Sequence, residues 1–176
     1  AGLVAHRVRR SIRLASVTIS IPQVSDMEFQ ITRDGQQTAW MLFVETATRI
    51  STQSMDQRGG LIRETLTSLY DLFQSTRELL KTVEPSSPGN GPSVEELAIT
   101  MLNLELRPFL TRWHADLRGW ELTHGDLSEA DWPGNQECRA ELATVQERIR
   151  EYALGFARLA GVPDRNAQII LLGKPD

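Results

Sequence analysis

Two stretches of this chain repeat apolar residues at alternating spacings of four and three without a break. Ile62, Leu66, Leu69, Phe73, Thr76, Leu80 and Val83 predict a helix over 61–83. Cys138, Leu142, Val145, Ile149, Tyr152, Phe156 and Leu159 predict a second over 136–160. A seam of that period puts one face of a helix against other helices, whereas a strand sends successive side chains to opposite sides. Gly161 and Pro163 follow the second seam in the order expected at a helix C-terminus.

Weaker signals fill in the rest. A helix over 36–53 is expected to turn Trp40, Phe43, Val44, Ala47 and Ile50 to one side. Another opens at Ser93, where Glu96 three residues on has the capping-box spacing, and carries Leu102, Leu106, Phe109, Trp113 and Leu117 to about Trp120. Pro108 lies inside that run, so a kink is expected over 104–108. Val17, Ile19 and Ile21 alternate with polar residues, as do Met27, Phe29 and Ile31, which predicts two strands joined as a hairpin through Pro22–Asp26. Arg33-Asp34-Gly35 reads as a turn, the run 85–92 as a loop, and Ala167 to Leu172 as a third strand able to join the hairpin. The expected architecture is mainly α: an antiparallel four-helix bundle over residues 16–176, with a small sheet from the N-terminal hairpin and the C-terminal strand.

At 176 residues with 40% hydrophobic and 24% charged residues, the chain suits one globular domain. No run approaches the roughly 20 apolar residues that span a bilayer. The single cysteine, Cys138, cannot form an internal disulfide, so a reducing, cytoplasmic compartment is expected. Four of the 19 basic residues, Arg7, Arg9, Arg10 and Arg13, precede Ser16 with no acid among them; the remainder sets 15 bases against 23 acids. An acidic body of that kind disfavours general nucleic-acid affinity. Residues 1–15 read as a basic arm beside Val4, Val8 and Ile12, either a solvated lead-in to the first strand or a segment that lies on an anionic membrane surface or just inside the membrane after a spanning helix. The chain opens on Ala1 rather than Met, so a longer, processed or trimmed parent is expected.

Few residues carry chemistry. Asn103, Arg107, Thr111, His114 and Arg118 form a polar stripe opposite the apolar face of the helix that begins at Ser93. Six residues separate Arg107 from His114, and this resembles the R-x4–6-H motif of the HEPN superfamily, helical-bundle domains that often act as metal-independent ribonucleases in bacterial conflict systems. The resemblance implies that Arg107 stabilises phosphate charge and His114 moves protons, with Asn103 and Thr111 supporting them. Pro108 stands where that family usually has a polar residue. Apart from the resemblance, a helical polar stripe is the ordinary form of a solvated face, or of Arg and His paired with acids on a neighbour.

His114-x-Asp116 and His124-x-Asp126 lack the i, i+3 or i+4 spacing of helical metal sites, so no metal and no cofactor is expected. Cys138 falls on a seam, where a buried, inert thiol is expected. Trp113 reads as core, and Trp120 and Trp132 as an exposed aromatic patch. Two functions follow as expectations. The first is a non-enzymatic helical module for protein association or self-association, part of a larger membrane-tethered bacterial protein. The second is a HEPN-like ribonuclease or toxin-like effector acting on RNA.

Overall fold

The computed structural model describes residues 13–21, 25–49, 60–85 and 91–172. Residues 1–12 of the basic arm, the hairpin connection 22–24, Ile50 and most of the proline-rich loop lie outside the described residues. The chain is mainly helical, with one small antiparallel sheet at its N-terminal end.

β1 (Arg13–Ile21) pairs with β2 (Ser25–Thr32) in a register running from Ile21 opposite Ser25 to Arg13 opposite Thr32, with an irregularity between Arg13 and Ala15. The period-two pattern holds: Ile19, Ile21, Phe29 and Ile31 are buried, while Ser16, Thr18, Ser20 and Glu28 face outward. Across the outer face the Ser16 hydroxyl donates to Glu28 at 2.5 Å. The inner face rests on the last long helix, where Gly155 lets Ile19 approach. A Cβ at that glycine would sit 3.2 Å from the Ile19 side chain.

α1 (Arg33–Ala47) starts earlier than the sequence suggests. Arg33, Asp34 and Gly35 are its first turn rather than a separate one, because Thr32 caps it by accepting from the Gly35 N–H at 3.1 Å. That start sets which face is buried. Ala39, Leu42, Phe43, Thr46 and Ala47 point inward, whereas Trp40 (47% exposed) and Val44 (38%) do not. Small residues such as Ala39, Thr46 and Ala47 share the inner face with Leu42 and Phe43, α1 packs along α5, and Gln36 donates to the Ala160 carbonyl at 3.0 Å. The helix ends at Ala47, short of Thr48 and Arg49, and residues 50–53 of the expected span lie outside the described residues.

α2 (Ile62–Thr82) buries Ile62, Leu66, Leu69 and Thr76 of the expected seam, with Phe73 and Leu80 half-buried. α3 (Val94–Thr100) opens with the expected capping box between Ser93 and Glu96, then runs through a π-helical turn, Met101–Leu106, into α4 (Arg107–Thr123). This turn stands where a kink was expected. Pro108 has no N–H to give and its ring crowds the carbonyl four residues back. The backbone widens instead, and the Arg107 N–H bonds the Leu102 carbonyl. A 3₁₀ turn, Glu129–Asp131, leads to α5 (Asn135–Leu159), which buries all seven residues of its seam.

Gly161 closes α5 at a φ of +79°, with the Val162 N–H reaching the Ala157 carbonyl at 2.8 Å. Residues 167–172 are not a strand but part of a helix, α6 (Asp164–Leu172). Pro163 sets the entry, its carbonyl accepting from Asn166 and Ala167, and Arg158 pairs with Asp164 at 2.8 Å. Ala167 and Leu171, four apart, turn inward while Gln168, Ile170 and Leu172 stay exposed. Among the described residues the sheet therefore keeps two strands.

Candidate functional site

The polar stripe on α4 faces α2. The Arg107 guanidinium lies over the Phe73 ring, 5.7 Å from its centroid. Two turns on, the His114 ring meets Tyr70 edge-on at 5.8 Å, and its Nε2 donates to the Leu66 carbonyl at 3.2 Å. That bond puts the proton on Nε2 and leaves Nδ1 as the acceptor. Further along, Arg63 forms a two-pronged pair with Glu121 at 3.0 and 2.6 Å. Partners ascend α4 from 107 to 121 as they descend α2 from 73 to 63, so the helices run antiparallel.

Arg107 and His114 thus share a face, but the rise of 1.5 Å per residue separates their Cα atoms by about 10 Å along it. Each is held by its own partner on α2. Asn103, Thr111 and Arg118 from the same stripe are exposed to solvent. Tyr70 is 47% exposed, its hydroxyl accepting from Gln74 at 2.7 Å. The result is a ridge of fixed rings and guanidinium groups at the α2–α4 junction, presented to solvent.

The other side of α4 faces α5. Arg112 stacks on Trp113 at 4.3 Å and pairs with Glu137 and Glu141 at 2.5 and 3.0 Å, which holds its charge above the usual guanidinium range. Trp113 donates to Glu141 at 2.9 Å and meets Trp132 edge-on at 5.6 Å. Trp132 is buried, not part of an exposed patch, because the turn through Gly134 folds the indole back over Trp113. Trp120 is half-buried, its ring stacked with His124 at 5.4 Å. Asp116 lies with Arg112 and Gly134 along a shallow groove on this side, away from the α2 contacts of His114. Among the described residues, no three His, Cys, Asp or Glu side chains gather as metal ligands.

The sequence reading missed a polar group inside the π-helical turn. Glu105 is buried (1% side-chain exposure) and pairs with Arg148 of α5 at 3.1 Å. Beside it, the Tyr152 hydroxyl and one oxygen of Glu151 are buried without a hydrogen-bond partner among the described residues. Burial, then the charges of Glu105 and Glu151, pushes the Tyr152 phenol well above its usual range. A signal was present, since a lone Glu between Leu104 and Leu106 sits at seam spacing with Leu102 and Phe109. Cys138 is fully buried; burial and the neighbouring charges of Glu141 and Glu129 push its thiol up to about 12, so little reactive thiolate forms near neutral pH.

No family model, curated protein or solved structure matches this chain. No helix among the described residues is long and apolar enough to cross a membrane.

Proposed function

We propose that the chain is a non-enzymatic helical module that binds a protein partner, and that its binding face is the α2–α4 ridge. The proposal includes an antiparallel four-helix bundle of α1, α2, the α3–α4 helix and α5 as the scaffold. One observation carries the reading: Arg107 and His114 are each fixed against an α2 ring, two turns apart, beside a half-exposed Tyr70. Catalysis at a single phosphate would need both groups within hydrogen-bond reach of the same reacting atoms. A binding face needs only rigid aromatic and arginine side chains whose rotamers are already fixed, and the contacts with Phe73 and Tyr70 supply them.

Placing the photo-crosslinker p-benzoylphenylalanine at Tyr70 and, as a control, at exposed Thr144 of α5 tests this in cells of the source organism. A discrete protein adduct from position 70 and none from 144 is expected. Equal or absent adducts at both positions would remove the reading.

The ribonuclease reading keeps one specific support, that the Leu66 carbonyl orients His114 with Nδ1 as the acceptor, the form a general base requires. Cleavage of single-stranded RNA in the presence of chelator, abolished by His114→Ala with the melting temperature unchanged, would establish it and displace the module.

A further inference from the structure

We infer that the occupant of the α2–α4 ridge is an acidic segment of another protein, an inference that rests on the binding-module reading above. The starting point is where the charge goes unanswered. Eight of the described Lys and Arg side chains hold an ion pair within the chain. Of the described arginine side chains outside those pairs, Arg33 and Arg165 lie on α1 and α6, whereas helix geometry puts the other three, Arg77, Arg107 and Arg118, on this one ridge. Arg107 contacts Phe73 directly, and Arg77 lies one turn beyond Phe73 on α2. Arg118 lies between His114 and Glu121 on α4, both of which touch α2. Glu121 beside Arg118 is engaged by Arg63, and Glu78 beside Arg77 by Lys81, with only a weaker attraction left between Glu78 and Arg77.

Three guanidinium groups without an ion pair on one face of a chain with net charge −4 repel one another, and an anionic partner relieves that. The same surface also presents an aromatic and an aliphatic side chain: Tyr70 is 47% exposed, and Leu104, three residues before Arg107, is 54% exposed. Arginine and tyrosine at the centre of a contact are the side chains that most often dominate protein–protein affinity.

The charge pattern favours carboxylates on a peptide over a phosphate polymer. Nucleic-acid affinity grows with the number of phosphates neutralised, and an acidic body repels a chain that continues past the ridge. A short acidic segment ends where the ridge ends. Arg107 and Arg118 are separated by about 16 Å along the helix axis, the reach of roughly five extended residues. A segment with a carboxylate at each end and an aromatic or aliphatic residue between them matches Arg107, Tyr70 and Arg118 in turn.

Fluorescence anisotropy with three labelled probes tests this: a short peptide of Glu, Tyr and Leu, the same peptide with Gln for Glu, and a short oligouridine. The Glu peptide is expected to bind more tightly than either, and to weaken as NaCl rises. Arg107→Glu and Arg118→Glu should each weaken it about tenfold or more, and Arg107→Gln by less. Arg165→Glu, a charge reversal at an exposed α6 arginine, should change nothing. Equal binding of the Glu and Gln peptides overturns the inference, as does tighter binding of oligouridine. A dimer seen by sedimentation that Arg107→Glu splits would assign the ridge to a second copy and also overturn it. A Tyr70 adduct that persists unchanged in Arg107→Glu and Arg118→Glu overturns the acidic occupant alone and leaves the binding module standing.

Discussion

Glu129 caps α2 from 67 positions away, its two carboxylate oxygens accepting from the backbone N–H groups of Ile62 at 2.7 Å and Arg63 at 2.9 Å. The first N–H groups of a helix have no partner within it, and Leu61, at the cap position, offers no side-chain acceptor. A carboxylate there also meets the positive end of the helix dipole. The 3₁₀ turn that carries Glu129 is itself held by the reciprocal Ser128–Asp131 bonds and by Asn135 donating to the Glu129 carbonyl at 3.0 Å. One side chain thus ties the start of α2, and with it the ridge, to the connection between α4 and α5.

Glu129→Ala is expected to cost about 1–2 kcal/mol in urea unfolding, through the lost cap and dipole contact. Leu61 is half-exposed with an extended backbone, φ −89° and ψ 131°, which suits a serine cap. Leu61→Ser should therefore recover part of the loss in the Glu129→Ala background and do little in the wild type. Equal effects in both backgrounds would show that Glu129 stabilises by another route.

The buried pair in the π-helical turn supports a second expectation. Arg148→Ala leaves the Glu105 carboxylate buried without its cation and should cost about 2–4 kcal/mol, somewhat under the full penalty because Arg148 is 39% exposed. Adding Glu105→Gln removes the stranded charge, so the double variant should be more stable than Arg148→Ala alone. A double variant no better than the single one would mean the arginine acts through packing rather than charge.

How much of this was legible in the sequence depended on whether a signal was local. The α5 seam and the apolar face of α4 could be read because each buries its residues at a helical period that spacing alone reveals. Ala167 to Leu172 could not, because six nearly continuous residues of one polarity fit a buried strand as well as a helix, and Pro163 with the Arg158–Asp164 pair decides for the helix. The inner face of α1 was read only in part, since Phe43 and Ala47 are buried as expected but Trp40 and Val44 are not. Large side chains look like core, but close packing on α5 selects Ala39 and Thr46 and leaves Trp40 outside. The stripe of Arg107 and His114 was visible, yet nothing in its spacing says that Phe73 and Tyr70 stand opposite. The cap by Glu129 and the burial of Trp132 are long-range facts of the same kind.

Core truncations separate the two seams. Phe156 is fully buried on α5, and Phe156→Ala should cost about 3–5 kcal/mol by opening a cavity. Phe73 is half-buried and shares its ring with the Arg107 guanidinium, so Phe73→Ala should cost clearly less, about 1–2 kcal/mol. The same change should weaken partner binding at the ridge, which Phe156→Ala would do only by unfolding the domain. Calorimetry together with ridge crosslinking at Tyr70 resolves the two effects. A Phe73→Ala protein that loses as much stability as Phe156→Ala would place the ridge in the core.

Glu151 gives the domain a distinctive pH response. Burial first, then the charges of Glu147 and Glu105, raises its carboxyl above the usual 4.5, and one of its oxygens is buried without a partner. A carboxyl with a raised folded pKa holds its proton more tightly folded than unfolded. Its contribution is therefore most favourable below 4.5 and is lost as pH rises through the folded value. Glu151→Gln removes the charge and keeps the shape, so it should stabilise the domain slightly at pH 7, the gain being reduced by the solvent that reaches the group. The gain should shrink as pH falls toward 4.5, where the wild-type side chain takes up its proton. Glu45 and Asp164, both held below their usual range, lose stabilising charge as pH falls further, but they are common to both proteins and cancel in the difference. Thermal melts of the pair from pH 4 to 8 measure that difference directly. A Glu151→Gln protein less stable than wild type at pH 7, or a difference independent of pH, would show that the Glu151 charge is compensated in the folded state.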